Sequence, residues 1–225
     1  MSFCPLPDAF DDRAAHWAAL PVCRLVDLGC GQGEVAGWLE SRGLKVWGLD
    51  RRILGDGPRQ DVRADALHPP FGSGLLDGVL AANLMHHALA QDPAGVFLGR
   101  WLDLLNSRGR LFLLGDEPDA GAEPAVENYH MLQAFLAEIM PGVRGPLVPL
   151  KQVVARLQAA GATDIRQGVV RNRQKMDTDT VLAMLAGTGA LEPEGAAARL
   201  GRRIRHHGLA LGIFWWVEVR GPERS

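Results

Sequence analysis

Between residues 26 and 87 the chain spaces acidic, glycine, amide and histidine residues as a ligand site at strand ends would require. Gly29, Gly31 and Gly33 stand at alternate positions directly after the apolar run Val22 to Leu28. Glycine takes positive φ and has no Cβ, so a ligand can approach the backbone closely, and the first amides of a following helix have no acceptor of their own. A second apolar run, Lys45 to Leu49, ends in Asp50, about twenty residues beyond Gly29. That is the separation at which nucleoside binders place a carboxylate for the ribose hydroxyls. Asp65 closes a third, short stretch, and Asn83, His86 and His87 follow a fourth, Leu76 to Ala82. A histidine near its ordinary pKa takes a proton from a hydroxyl or amine. The structural alternative for this pair is that one ring packs and the other caps the next helix.

These groups converge only if the runs that carry them lie side by side. Val35, Ala36, Trp38 and Leu39 recur at helical spacing until Gly43, so the first unit reads strand, glycine turn, helix. Asp92 to Leu105 predicts an amphipathic helix with Val96, Phe97, Trp101, Leu102 and Leu105 on its apolar stripe. Arg110 to Gly115 predicts a fifth strand, apolar on both faces, followed by Asp116, Glu117, Pro118 and Asp119. Those carboxylates are either substrate contacts for a cationic or hydroxylated group or solvated loop charges. Further helices are expected over Glu123 to Met140, Leu150 to Ala160, Thr178 to Ala186 and Pro193 to His207, with strands at Asp164 to Val170 and Leu209 to Val219. The pattern predicts an α/β, doubly wound, mostly parallel seven-stranded sheet with an antiparallel edge strand and helical insertions after strands 5 and 6.

Asp27-Leu28-Gly29-Cys30-Gly31-Gln32-Gly33 resembles the D-x-G-x-G-x-G signature of the class I S-adenosylmethionine-dependent methyltransferases, and Asp50, Asp65-Ala66 and Leu76 to Asn83 follow in that family's order. The resemblance covers residues 22–116, about half the chain. It implies S-adenosyl-L-methionine as cofactor. Gly29, Cys30, Gly31 and Gly33 would meet its methionine moiety, Asp27 its amino group through water, Asp50 the ribose, and Asp65 and Ala66 the adenine; Arg51 and Asn83 belong to the same set. His86 and His87 are then the catalytic candidates, and no metal is required. The implied activity is methyl transfer to an unidentified acceptor; the acidic pI and the Asn83 to His87 segment favour a small molecule. Two departures from the family stand out. Residues 51–64 leave room for one helical turn at most, and two helices replace the hairpin between the sixth and seventh strands.

One domain over 1–225 is expected, with 22–116 as its cofactor-binding core and 119–149 and 172–207 as insertions that serve either as a substrate lid or as core. The predicted N-terminal helix, Asp8 to Leu20, places Phe10, Ala14, Trp17 and Ala18 on one face. It either packs on the sheet or brings Arg13, His16 and Trp17 over the cofactor.

Composition narrows the classes. The 225 residues, 47% hydrophobic and 22% charged, are ordinary for a globular protein, and no apolar run reaches a membrane span. Met1 to Pro5 lacks the pattern of a secretory signal, so a cytoplasmic location is expected. Cys4, Cys23 and Cys30 have no metal-binding spacing and suggest no disulfide framework; Cys30 reads as packing within the turn. A net charge of -2 and a pI near 6.4 argue against general nucleic-acid binding. The basic segment Arg199 to His207 is either a solvated face or a contact for an anionic substrate, carrier protein or nucleic acid. Two other classes stay open: a methyltransferase-like binding or scaffold protein without turnover, and a nicotinamide-dependent dehydrogenase. The latter's G-x-G-x-x-G places the third glycine one position after Gly33.

Overall fold

The computed structural model describes residues 8–20, 23–52, 61–118, 123–140, 144–171, 175–187 and 195–221. The apolar runs become β1 (Leu25–Leu28), β2 (Val46–Asp50), β3 (Val62–Arg63), β4 (Leu76–Ala82), β5 (Leu105–Asp116), β6 (Ile165–Arg171) and β7 (Ile213–Arg220). They form one seven-stranded sheet in the order β3-β2-β1-β4-β5-β7-β6. The first five run parallel, and β7 lies antiparallel between β5 and β6. The antiparallel pairing thus falls at the expected edge, with β6 outermost. β3 is only two residues long, in keeping with the weak strand composition of that stretch.

The helices are α1 (Asp8–Ala18), α2 (Glu34–Glu40), α3 (Met85–Gln91), α4 (Val96–Leu104), α5 (Pro124–Ile139), α6 (Leu150–Ala159), α7 (Thr178–Gly187) and α8 (Ala196–His207). Insertions therefore follow β5 and β6, as expected. The helix expected from Asp92 begins later, at Val96. Gly95 adopts φ 75° before it, and the Asp92 carboxylate accepts a hydrogen bond from the Phe97 amide at 3.2 Å. The expectation for residues 51–64 falls mostly on 53–60, outside the described residues. Among the described residues no helix is long and apolar enough to cross a membrane.

Alternation along the strands sends successive side chains to opposite faces. Val26, Leu28, Val79, Leu111, Leu113 and Val217 pack under α4 and α6 with Phe97, Trp101, Val153 and Leu157. Leu25, Leu80 and Phe112 meet α1 and α2 through Trp17, Ala36 and Leu39. A Cβ on Gly78 would come within 2.6 Å of the Trp17 ring, so this glycine lets α1 lie against β4. Arg13 of α1 pairs with Glu218 of β7, a buried carboxylate that also faces Arg110 and Arg166. α1 accordingly packs on the sheet, and His16 is exposed.

The stripe on α5 is core. Tyr129, Leu132, Phe135 and Leu136 pack with Leu114, Phe214 and, from α8, Leu200 and Ile204. Asn128, fully buried, donates to the carbonyls of Arg203 and Gly208, so the last turn of α8 finds its hydrogen bonds on α5. On the other face, the Trp101 indole N–H donates to the Ala66 carbonyl at 2.7 Å, holding the loop after β3 against α4. Trp101→Phe keeps most of the volume but leaves that carbonyl unpaired; a loss of about 1–2 kcal/mol is expected in urea unfolding. Trp101→Ala should cost about 3–5 kcal/mol by the same measurement.

Candidate active site

The glycine turn is shaped by one carbonyl. Leu49 of β2 accepts hydrogen bonds from both Gly29 (2.7 Å) and Cys30 (3.1 Å), which turns the chain off the end of β1. Gly29, Gly31 and Gly33 have φ of 67°, 53° and 82°, in the left-handed region where side chains are disfavoured. A Cβ on Gly29 would also meet the Leu84 side chain at 2.7 Å, whereas one on Gly31 would face open space. The turn thus offers bare backbone toward the strand ends. Cys30 lies over β2, its Sγ within 2.8 Å of where a Gly48 Cβ would stand, in line with a packing role.

Asp50 ends β2 beside this turn. One carboxylate oxygen accepts the Gly31 amide at 3.0 Å and the other the Arg52 amide at 2.8 Å. Asp27, 2% exposed, lies within β1 just before the turn. Asp65 folds one oxygen back onto the Leu67 amide (3.0 Å) and turns the other to Arg51 (2.8 Å) and His68 (3.4 Å). Partial burial works against its charge, but these hydrogen bonds outweigh it and hold the carboxyl below its usual value. Ala66 is buried behind it. The expected cofactor residues therefore assemble along the C-terminal ends of β1 to β4, the crevice where open parallel sheets bind ligands.

At the ends of β4 and β5 lies a second group that spacing did not bring together. Asn83, at φ 52°, is the non-glycine residue with positive φ among those described. His86 is buried in the first turn of α3, its ring 4.1 Å from that of His87. Asp116, at the end of β5, accepts the Tyr129 hydroxyl at 2.8 Å. Arg144 donates to Gln133 of α5, and its neighbour Gly145 donates to the His86 carbonyl. Asn83 Oδ1, His86 Nε2, Asp116 Oδ1 and Arg144 Nε are all buried and have no hydrogen-bond partner. Buried polar atoms are nearly always satisfied, so orphans gathered at one sheet edge mark a place for a ligand or ordered water.

Electrostatics follow from this burial. Asp116 is pushed up to about 6 by desolvation, which the Tyr129 hydrogen bond and the Arg144 charge only partly oppose. His86 is pushed down to about 3, first by burial and then by His87 and Arg144. At neutral pH its imidazole is uncharged and offers a hydrogen-bonding nitrogen. His86 also borders a cavity of about 170 Å³ lined by α3, residues 145–148 and α6. Of the carboxylates expected after β5, Glu117 accepts the Leu150 amide at the start of α6, and Asp119 lies outside the described residues. Tyr129, Gln133 and Arg144 carried no motif; the sole tyrosine on a predicted insertion helix was the available hint.

Comparison with solved structures gives the same architecture. An S-adenosylmethionine-dependent methyltransferase from Archaeoglobus fulgidus superposes with a TM-score of 0.60 at 16% identity, over 94% of this chain and 91% of the other. A cyclopropane-fatty-acyl-phospholipid synthase-like protein from Lactobacillus casei gives 0.65 at 15% identity, over 96% and 94%. The geranyl diphosphate C-methyltransferase of Streptomyces coelicolor, solved with Mg²⁺, geranyl diphosphate and S-adenosyl-L-homocysteine, gives 0.53 at 14% identity, over 96% and 79%. No curated protein matches the chain by sequence. The fold is that of the class I methyltransferases. Residues 26–113 match the family model of the methyltransferase domain.

Buried His86 has a consequence for acid stability. Its pKa is depressed in the folded protein, so its contribution is complete above the unfolded value of 6.5 and is lost as pH falls toward about 3. Asp116, raised to about 6, works in the opposite sense and gains stability as pH falls through that value. His86→Gln removes only the first effect. Between pH 7 and 4.5 the variant should improve relative to the wild type by about 2–3 kcal/mol in urea titrations. A constant difference across that range would show that His86 titrates normally.

Proposed function

We propose that the protein is an S-adenosylmethionine-dependent methyltransferase acting on a small-molecule acceptor. The observation that carries this reading is the glycine turn: three left-handed glycines, open space at Gly31, and the Asp50 carboxylate alongside. The family match over residues 26–113 supports it. Bound S-adenosylmethionine supplies a methyl group already activated by its sulfonium. Gly29, Cys30, Gly31 and Gly33 hold the methionine end and Asp27 its amino group. Asp50 receives the ribose, while Asp65 and Ala66 receive adenine. Arg51 orients Asp65 through their ion pair, and Asn83 adds an amide at the end of β4. His86 and His87 lie where an acceptor would enter, His86 as a neutral hydrogen-bonding group and His87 as the candidate for proton transfer. What remains for the protein is alignment of the acceptor and exclusion of water. The one domain has residues 22–116 as its cofactor-binding core, and the insertions 119–149 and 172–207, through α5, α7 and α8, are the candidate substrate lid.

Titration calorimetry with S-adenosylmethionine and S-adenosylhomocysteine tests this. Micromolar binding of both is expected, with none for NAD. Asp50→Ala should weaken binding by a factor of ten or more, about 1.4 kcal/mol. Asp50→Asn, which keeps an acceptor for the Gly31 amide, should lose less. Binding of NAD in place of the adenosyl compounds would favour a dehydrogenase, and tight cofactor binding without turnover on any acceptor would favour the scaffold reading.

A further inference from the structure

Resting on the methyltransferase reading, we infer that Asp116, Tyr129, Arg144 and His86 form the acceptor site and that the acceptor is a small hydroxylated carboxylic acid. The argument begins with what these side chains lack. Arg144 is a largely desolvated guanidinium that faces the Asp116 charge but spends its hydrogen bond on the neutral Gln133 and leaves its Nε without a partner. A cation so placed is complemented by an anion, and a guanidinium matches a carboxylate in geometry. Asp116 spends one oxygen on Tyr129 and leaves Oδ1 buried and unpaired, so the acceptor must also bring a donor to it.

A hydroxyl fits that donor better than an ammonium. It can donate to a carboxylate and accept from a carboxylic acid, so it suits Asp116 on either side of its titration near 6. It also keeps lone pairs that can receive a methyl group, which an ammonium lacks. As the hydroxyl oxygen bonds to the methyl carbon, that carbon's bond to the sulfonium breaks with both electrons kept by sulfur. The hydroxyl proton passes to Oδ1 of the ionised Asp116 carboxylate, which takes this role in place of His87, and from there to water. His86 contributes an uncharged nitrogen, and the cavity beside it, apolar along α3 and residues 146–148 with Gln152 and Arg156 of α6 on its other side, has room for the acceptor's body.

The test uses the full chain. S-adenosylhomocysteine is titrated first; 4-hydroxybenzoate, salicylate and 3-hydroxybutyrate are then titrated into the free and the saturated protein, with phenol and benzoate for comparison. At least one hydroxy acid should bind, and phenol and benzoate should bind at least tenfold more weakly. Arg144→Gln should abolish the preference over phenol, Arg144→Lys should retain it in part, and Asp116→Asn should abolish the preference over benzoate, with melting curves confirming that each variant is folded. Equal binding of phenol, wild-type behaviour of Arg144→Gln, or no hydroxy-acid binding to a protein that binds S-adenosylhomocysteine would overturn the inference. Failure to bind S-adenosylhomocysteine would instead overturn the cofactor reading, and titration of the hydroxy acids into the free protein would still decide this one.

Discussion

The Leu49 carbonyl, which accepts two amides from the turn after β1, is the interaction on which the site depends. A parallel strand buried on both faces must leave the sheet without stranding polar backbone. Here the first two amides beyond β1 are satisfied by the neighbouring strand, and the third, Gly31, by the Asp50 carboxylate that ends it. The turn is thereby tied to β2 at each of three consecutive residues. Positive φ at alternate glycines is the conformational condition for that path, and the bare backbone left at Gly31 is its chemical consequence.

The rest of the fold presents a second edge beside the first. Trp215 of β7 donates its indole N–H to the carbonyls of both Asp116 and Val148. One buried ring thus fixes the end of β5 relative to the segment that carries Arg144 and Gly145. The Cβ-less Gly115 makes room for it, since a Cβ there would approach the ring to 2.4 Å. α5 then lowers Tyr129 and Gln133 onto this frame while its apolar side joins α8 and β7 in a shared core. The insertion is therefore both core and site: the same helix closes the sheet's third cluster and supplies polar groups at the strand ends.

Burial sets the character of the two edges. Beyond β3, Asp65 is kept charged by Arg51, His68 and a backbone amide. At Asp116 and His86 desolvation works against charge, raising the first and lowering the second. A charge-stabilised rim thus lies beside a drier interior. Removing water strengthens each electrostatic interaction that remains.

Local chemistry is legible in the residues alone: the glycine turn, the acid at the end of the second strand, the order of apolar runs and the helices between them. Each is written in adjacent residues or in a short period, so steric and hydrophobic rules suffice to read it. Where spacing was weak, as in the helix start displaced from Asp92 to Val96, a local glycine outweighed the acidic start signal. Tertiary structure decided everything that joins distant residues. It seated α1 on the sheet through Trp17, Gly78 and the Arg13–Glu218 pair, and it spent Glu117 on the start of α6. It also brought Asp116, Tyr129, Arg144 and His86 together. No periodicity links those positions, because their proximity comes from the antiparallel insertion of β7 and the packing of α5, which only the folded sheet supplies.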